Sequence, residues 1–292
     1  MQSGTGIERL WTVLDLVKWG TDYFTGKDVD SPRLTIELML CNVLSCGRVQ
    51  LYSTFERPLS KAELATLRSF VQRRVAGEPL QYITGEGPFF GHVFHVTPSV
   101  LIPRPETELI ADHALRYCRG HRDTRALDIG TGSGCIAISV AMHAADSQWT
   151  ALDVSQAAAD VARGNAERLG VADRVEVRVM DFLTELPEGQ FDIVTMNPPY
   201  IPVAEIDAVD PVVRDFEPRG ALTDGADGLT FHRRLAEVLS GAPFLTERGM
   251  VLVEVMAGQA DVVEAIYGSI GGKTTVVADL AGIPRMVTWQ PS

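Results

Sequence analysis

The stretch Asn197-Pro198-Pro199-Tyr200 follows the apolar run FDIVTM, which the pattern predicts to be a strand. A planar amide or amine nitrogen is a poor nucleophile, because its lone pair is delocalised, and its N–H groups need acceptors. The Asn197 side-chain oxygen and the Pro198 carbonyl can accept them, while both prolines fix the loop and donate nothing. Against the alternative of a plain turn, we predict that Asn197, Pro198 and Tyr200 are catalytic. These three residues and Pro199 would bind the planar nitrogen group and hold it for attack, with Tyr200 stacked on it.

A glycine-rich loop separates the predicted strand RALDIG from a predicted helix at residues 135–143. Glycines let a backbone turn tightly and let a ligand approach closely. The pattern G-x-G-x-G lacks the spacing of the dinucleotide-binding G-x-G-x-x-G and suits a nucleoside without a pyrophosphate. The alternative is a purely structural strand–helix turn. The predicted cofactor-binding residues of this loop are Gly130, Thr131, Gly132, Ser133 and Gly134.

Acidic residues end the next two predicted strands. Asp153 can accept from both hydroxyls of a ribose, whereas Ser155 is better placed than Asp153 to cap the following helix. Asp181 can accept from an adenine amino group, and Phe182 can pack on the adenine ring. With Asn197, which we also expect to contact the cofactor, these strand ends outline an adenosine pocket. Together they resemble the class I S-adenosylmethionine-dependent methyltransferases.

Strands and helices alternate from residue 125 onward, which predicts a mainly parallel sheet with helices on both faces. The fold expected is therefore α/β, a Rossmann-like methyltransferase sheet, with a small N-terminal helical bundle and a short β-hairpin linker. The predicted domains are 1–80, a helical substrate-recognition domain, 81–105, a linker with the hairpin, and 106–292, the methyltransferase domain. Within the bundle, Gly20 is expected to stop the first helix, Ser31 to cap the second, and Ser60 with Glu63 to form a capping box.

The charge of the protein is uneven. Of the 292 residues, 1–82 hold 10 basic and 9 acidic ones, which leaves 16 and 29 for residues 83–292 and a net charge of −13 there. Such an acidic body argues against broad binding to a phosphate backbone, so no direct nucleic-acid partner is expected.

The cysteine pattern and the hydropathy indicate the compartment. The four cysteines form no CxxC pair and no histidines stand at zinc spacing, so we expect neither disulfides nor a metal. No apolar run is long enough to span a membrane, and the N-terminus lacks the features of a signal peptide. We therefore expect a cytoplasmic protein.

Two longer stretches narrow the class of substrate. The motif NPPY is shared by methyltransferases of planar nitrogens, including DNA adenine and protein glutamine enzymes. The stretches GEPLQYITGEGPFFGHVFHVTPSVLIPRPETE (77–108) and DFEPRGALTDGADGL (215–229) resemble the peptide chain release factor glutamine N5-methyltransferases, the PrmC/HemK family. This resemblance covers roughly residues 7–290.

The resemblance implies a function and assigns roles. The enzyme would use S-adenosylmethionine, release S-adenosylhomocysteine and methylate the glutamine of the Gly-Gly-Gln tip of class I release factors. The glycine loop, Asp153 and Phe182 would hold the cofactor, and the NPPY residues would hold the amide. The helical domain would grip the release factor away from the tip. The loop around Arg104, Glu106 and Glu108 would lie between the domains, where a salt-bridged hinge is an alternative.

This sequence departs from the family pattern at two places. Where the family often has Glu-x-Gly, this chain has Glu254-Val255-Met256, and Ile283-Pro284 stand where a charged pair is common. Both places are expected on the far half of the sheet, without contact to the acceptor pocket.

Three other functions are open to the same residues. A DNA or RNA adenine N6-methyltransferase would share the predicted site, but the acidic charge and the lack of a basic recognition segment count against it. A non-catalytic subunit that binds S-adenosylmethionine would not need NPPY. A nicotinamide-dependent dehydrogenase would need a different glycine spacing.

Overall fold

The computed structural model describes residues 10–241 and 243–292. The chain divides into two compact units, of which the first ends at Gly85 and the second begins at Glu86. The hairpin region thus belongs to the second unit. The division into three domains and the recognition role of the first stay predictions.

Within residues 10–85, the described part of the first unit, five helices form a bundle. They enclose an apolar core that includes Phe24, Ile36, Met39 and Leu67. Ser60 and Glu63 form the predicted capping box at the start of the fourth helix, which confirms that prediction. The helices are α1 Val13–Thr25, α2 Pro32–Val43, α3 Arg48–Ser53, α4 Lys61–Val75 and α5 Leu80–Thr84.

One prediction about this bundle is wrong, and a second is confirmed only in the position of the residue. Helix α1 continues through Gly20 to Thr25, and a Cβ atom at Gly20 would lie 2.7 Å from the Ile36 Cδ1 atom. This glycine therefore lets α1 and α2 pack closely rather than ending a helix. Ser31 precedes α2 as expected, but it has a left-handed backbone (φ 47°) and its side chain makes no capping hydrogen bond. The first helix was predicted from the helical spacing of Ile7, Leu10, Trp11, Leu14 and Val17, of which Ile7 lies outside the described residues.

The second unit begins with a β-hairpin and contains a seven-stranded sheet. The hairpin strands are β1 Glu86–Phe89 and β2 His92–His95. The sheet strands are β3 Thr124–Ile129, β4 Ser147–Asp153, β5 Val175–Val179, β6 Phe191–Met196, β7 Leu245–Glu254, β8 Lys273–Ala278 and β9 Pro284–Gln290. The helices are α6 Glu108–Gly120, α7 Cys135–His143, α8 Gln156–Arg168, α9 Pro211–Phe216, α10 Arg219–Leu222, α11 Thr230–Gly241 and α12 Ala260–Gly268, with 3₁₀ turns at Pro105–Thr107 and Val203–Ala208.

The strand order is β5-β4-β3-β6-β7-β9-β8, and β9 runs antiparallel to both of its neighbours. The other pairings in the sheet are parallel. Separate apolar clusters cover the two faces, one containing Ile138 and Trp149 and the other containing Leu235 and Tyr267. This architecture confirms the predicted fold class.

The sheet has its topological switch point between β3 and β6. From β3 the chain proceeds to β4 and β5 on one side and then crosses to β6 and β7 on the other. Since Ile129 pairs with Met196, the residues that follow these two strands leave the sheet side by side. Ligands of such sheets bind in the crevice at this point.

Candidate active site

A cavity of about 370 Å³ lies at the carboxyl ends of β3, β4 and β6. Most of the predicted site residues line it, so the cavity brings together residues at or after the ends of four strands, β3, β4, β5 and β6. Those residues are Gly130, Thr131, Gly132, Ser133, Asp153, Asp181, Phe182, Asn197, Pro198 and Pro199. Two others, Gly134 and Tyr200, do not line it.

The glycine loop makes the turn from β3 into α7 with left-handed backbone at each glycine. Gly130 has φ 72°, Gly132 φ 54° and Gly134 φ 80°. A Cβ atom at Gly134 would also lie 2.6 Å from the Ile138 Cδ1 atom, so this position serves helix packing. Nothing lies within 4 Å of a Cβ atom built on Gly132, which leaves the backbone there open to a ligand.

A buried carboxyl group fastens this loop to the strand that carries the acceptor residues. Asp128 accepts from the hydroxyls of Thr131 and Thr195, each at 2.7 Å. Burial raises the pKa of Asp128 to about 6, although both hydroxyls lower it. Because Thr195 precedes Asn197 by two residues, the two halves of the site share one anchor.

Asp153 lies at the end of β4 and faces the glycine loop. Its Oδ2 atom accepts from the Gly132 N–H and its Oδ1 atom from the Ser155 N–H, both at 2.9 Å. Burial raises the pKa of Asp153, and these two N–H groups lower it. Ser155 caps α8 by accepting from the Ala158 N–H, as predicted. Each carboxylate oxygen has a second lone pair with which to accept from a ribose hydroxyl.

The apolar side of the cavity follows β5. Phe182 is buried and Asp181 accepts from the Leu183 N–H at 3.0 Å. The strand ends at Val179, two residues before the acid, so Asp181 belongs to the loop rather than to the strand end. Met180 also lines the cavity and was missed, because an apolar residue after a strand carries no chemical signal.

Asn197 is oriented by a residue that the sequence reading assigned no role. Its Nδ2 atom donates to the Thr107 Oγ1 atom at 3.1 Å. The Asn197 side-chain oxygen accepts from none of the described residues, so it remains available to a ligand. Thr107 is buried and belongs to the PRPETE stretch, whose resemblance to the family was the signal that could have drawn attention to it.

Tyr200 is held at both ends by residues at and after the end of β7. Its hydroxyl donates to the Glu254 Oε1 atom at 3.3 Å, and its carbonyl accepts from the Gln259 Nε2 atom at 2.9 Å. Burial raises the pKa of the Tyr200 hydroxyl. The expectation that Glu254 to Met256 lie away from the acceptor loop is therefore wrong, since adjacency of β6 and β7 brings them together. Stacking by Tyr200 stays a prediction.

An ion pair beside the cavity joins the two stretches that carried the family resemblance. Arg104 lines the cavity and pairs with Glu217 at 2.5 Å. Glu217 is buried and also accepts from the Ile102 N–H at 3.1 Å. Glu108 accepts from the Phe90 N–H within the same unit. Other wall residues missed from the sequence include Pro103, Pro218, Gly220 and Phe231.

The close approach of Gly228 to the acceptor loop yields a prediction. A Cβ atom at Gly228 would lie 2.7 Å from the Tyr200 carbonyl carbon and closer still to its oxygen, and its φ is 79°. We expect Gly228→Ala to lower the free energy of unfolding by about 2–4 kcal/mol through this clash and the backbone strain. Urea denaturation measures it. The control is Gly164→Ala on α8, where a Cβ atom meets nothing within 4 Å. Equal stability of the two variants would contradict the predicted clash.

The fold and the cavity place the protein in a class, and comparison with known proteins gives the family. A glycine loop and an acid at the ends of neighbouring parallel strands, in a sheet whose antiparallel strand β9 lies between β7 and the edge strand β8, define a class I S-adenosylmethionine-dependent methyltransferase. The chain belongs to the release factor glutamine methyltransferase family. Residues 15–85 match the PrmC N-terminal domain and residues 107–215 match the methyltransferase small domain.

Individual relatives support this assignment. The chain is 41% identical to the release factor glutamine methyltransferase of Geobacter sulfurreducens, over 95% of this chain and 96% of that one. It is also 41% identical to that of Chlorobaculum tepidum, over 95% and 97%. A solved methyltransferase from Pyrococcus furiosus has the same fold with a TM-score of 0.50 at 17% identity, over 79% of this chain and 98% of that one.

Two properties of the described residues bear on other expectations. Across residues 10–241 and 243–292, none of the helices has the length and apolar character to cross a membrane. The same residues contain no group of three or more His, Cys, Asp or Glu side chains arranged to hold a metal ion.

Proposed function

We propose that this protein transfers a methyl group from S-adenosylmethionine to the side-chain amide nitrogen, N5, of the glutamine in the Gly-Gly-Gln motif of class I peptide chain release factors. The observation that carries the proposal is the match to named release factor glutamine methyltransferases over about 95% of this chain. The cavity supports it, because Asn197 lines a nucleoside-sized pocket and its side-chain oxygen accepts from no other residue that the structure describes.

The residues of the cavity fit the cofactor. The open backbone at Gly132 would receive it, and the second lone pairs of Asp153 would accept from the ribose hydroxyls. Asp181 would accept from the adenine amino group, with Phe182 against the ring. When bound, S-adenosylmethionine supplies an electrophilic methyl group on its sulfonium. The glycine loop and Asn197 leave neighbouring strands, so donor and acceptor sites are adjacent.

The acceptor residues would orient a nitrogen that is a weak nucleophile. Asn197 Oδ1 and the Pro198 carbonyl would each accept one N–H of the glutamine amide and direct its lone pair at the methyl group. The same oxygens stabilise positive charge that develops on nitrogen during transfer. Transfer of the methyl group would leave the product amide protonated on nitrogen, and this cation is very acidic and loses its proton to water or to an acceptor, so the site needs no strong base.

The first unit and the compartment complete the proposal. The near-neutral helical unit would bind a part of the release factor other than its tip. A cytoplasmic location agrees with a substrate that acts in translation and with four free cysteines among the described residues.

A transfer assay tests the function directly. The protein is incubated with methyl-labelled S-adenosylmethionine and one of three acceptors, which are a class I release factor, its Gln→Ala tip variant, and duplex DNA. We expect label on the wild-type release factor alone. Label on DNA would favour the adenine methyltransferase, and equal label on the Gln→Ala variant would rule out the tip glutamine as the acceptor.

A further inference from the structure

Glu254 is a buried carboxyl group at the end of β7 whose hydrogen bonding is incomplete. Its side chain has 3% exposure, and its Oε1 atom accepts from the Tyr200 hydroxyl at 3.3 Å. Its Oε2 atom is buried and has no hydrogen-bond partner among the described residues. A buried carboxyl oxygen without a partner is costly, so this one calls for an explanation.

Thr107 lies between this carboxyl group and the acceptor asparagine. Its Oγ1 atom accepts from the Asn197 amide at 3.1 Å, and the Thr107 hydroxyl lowers the pKa of the Glu254 carboxyl. A hydroxyl donates one hydrogen bond and can rotate to choose its acceptor. If the Thr107 hydroxyl donates its one proton to Glu254, only lone pairs of the Thr107 oxygen face Asn197. The Asn197 side chain must then be the donor of the bond between them.

The donor and acceptor directions of the hydrogen bonds that link Glu254, Thr107 and Asn197 decide which way the Asn197 carboxamide faces. An amide has a donor end and an acceptor end, and the substrate amide requires the acceptor end. With the Asn197 NH₂ group committed to the Thr107 oxygen, Oδ1 is presented to the substrate. A Thr107 hydroxyl that donated to Asn197 would instead favour the carboxamide rotated by 180°. The Asn197 NH₂ group would then face the N–H groups of the substrate amide, and neither side could accept.

We propose that Glu254 is a positioning residue for methyl transfer: its carboxylate accepts hydrogen bonds from the hydroxyls of Thr107 and Tyr200, and thereby holds Asn197 with its oxygen toward the substrate amide. This inference rests on the proposed function. Glu254 touches neither substrate nor cofactor in this scheme and acts through the two hydroxyls. Gln259 completes the arrangement by holding the Tyr200 carbonyl.

The proposal makes the reaction depend on the ionisation of Glu254. Burial raises the pKa of this carboxyl to about 7. The protonated form can itself donate to Thr107, which removes the constraint on that hydroxyl. The oriented acceptor is therefore present above pH 7 and is lost as the pH falls through 7. The groups that face Glu254 are Glu106, which raises its pKa, the Thr107 and Tyr200 hydroxyls and Arg285, which lower it, and the Cys135 thiol.

Glu254→Gln tests this proposal, because it replaces two acceptor oxygens by one oxygen and one NH₂ group. The carboxamide can accept from one of the two hydroxyls, but it presents N–H donors to the other. We expect kcat for release factor methylation to fall roughly 10-fold at pH 8. The ratio of wild-type to variant kcat should shrink toward 1 at pH 6, where wild-type Glu254 is itself protonated. Affinity for S-adenosylhomocysteine should change less than about twofold, since its proposed contacts are elsewhere.

Further variants keep the test sharp. Glu247→Gln makes the same substitution at an exposed position of the same strand and should leave kcat and its pH dependence unchanged. Thr107→Ser keeps the hydroxyl, so its profile of kcat against pH should retain the inflection near pH 7. Thr107→Val lacks the hydroxyl, so its profile should lose that inflection. This pair gives an independent answer even if Glu254→Gln does not fold.

The failures are distinguishable. A wild-type protein that transfers no methyl group to the release factor overturns the proposed function. An active wild type whose ratio to Glu254→Gln stays constant between pH 6 and pH 8, or whose Thr107→Val variant keeps the inflection, overturns the role of Glu254 alone.

Discussion

Asn197→Ala is expected to lower kcat/KM for the release factor by at least about 10³-fold, because it removes an acceptor for the substrate amide and the orientation of its lone pair. The structure supports a large effect, since the Asn197 Nδ2 atom donates to Thr107 while the Asn197 Oδ1 atom accepts from none of the described residues. The Kd for S-adenosylhomocysteine, measured by calorimetry, should change less than about twofold because the proposed ribose and adenine contacts involve other residues.

The control for this variant removes a carboxamide that lies away from the cavity. Gln148 is exposed near the amino end of β4, the opposite end from Asp153, and Gln148→Ala should have wild-type activity. If Asn197→Ala binds S-adenosylhomocysteine far more weakly than wild type, the main role of Asn197 is in cofactor binding and our assignment is wrong.

Asp153→Ala is expected to weaken S-adenosylhomocysteine binding about 100-fold. Two charge-assisted hydrogen bonds to the ribose hydroxyls are lost, which together amount to about 3 kcal/mol. The variant also frees the Gly132 N–H, which Asp153 holds at 2.9 Å, so the glycine loop loses an anchor. Calorimetric titration with S-adenosylhomocysteine measures the change, and kcat at saturating donor should fall much less than the affinity.

A second aspartate provides the matched control. Asp160 lies on α8, is exposed and pairs on the surface with Arg163. Asp160→Ala should bind S-adenosylhomocysteine like wild type. An Asp153→Ala variant with near wild-type affinity would mean that Asp153 only fastens the loop and does not bind the ribose.

Local patterns predicted the core elements of the sheet with little error. The bounds of α7 at Cys135–His143 and of β6 at Phe191–Met196 coincide with the predicted ones. Both segments are mainly apolar, and each lies beside a strong local signal: Gly134 precedes α7, and Pro198 follows β6 after Asn197. Helix α6 was missed, because the preceding PRPETE stretch indicated a loop and the apolar positions after it were not recognised as helical.

Predictions failed where a residue acts through a neighbour that is distant in sequence. Gly20 was predicted to stop a helix, yet α1 continues through it to Thr25. The residue is a glycine because the Ile36 side chain of α2 occupies the space that a Cβ atom would need. Glu254 reads as remote from the acceptor loop, yet its carboxyl group accepts from Tyr200, 54 residues earlier. Neither contact leaves a periodic or compositional trace in the sequence.

The sequence by itself determined the class of chemistry, since the side chains and spacings of the glycine loop, Asp153 and NPPY are local and have few other uses. The tertiary structure alone decided how these parts are oriented. Parallel pairing of β3 with β6 brings Gly130 beside Asn197, and the buried contacts of Thr107 and Glu254 decide which end of the Asn197 amide faces the cavity. Hydrogen-bond polarity depends on partners in three dimensions, and the order of residues along the chain does not encode it directly.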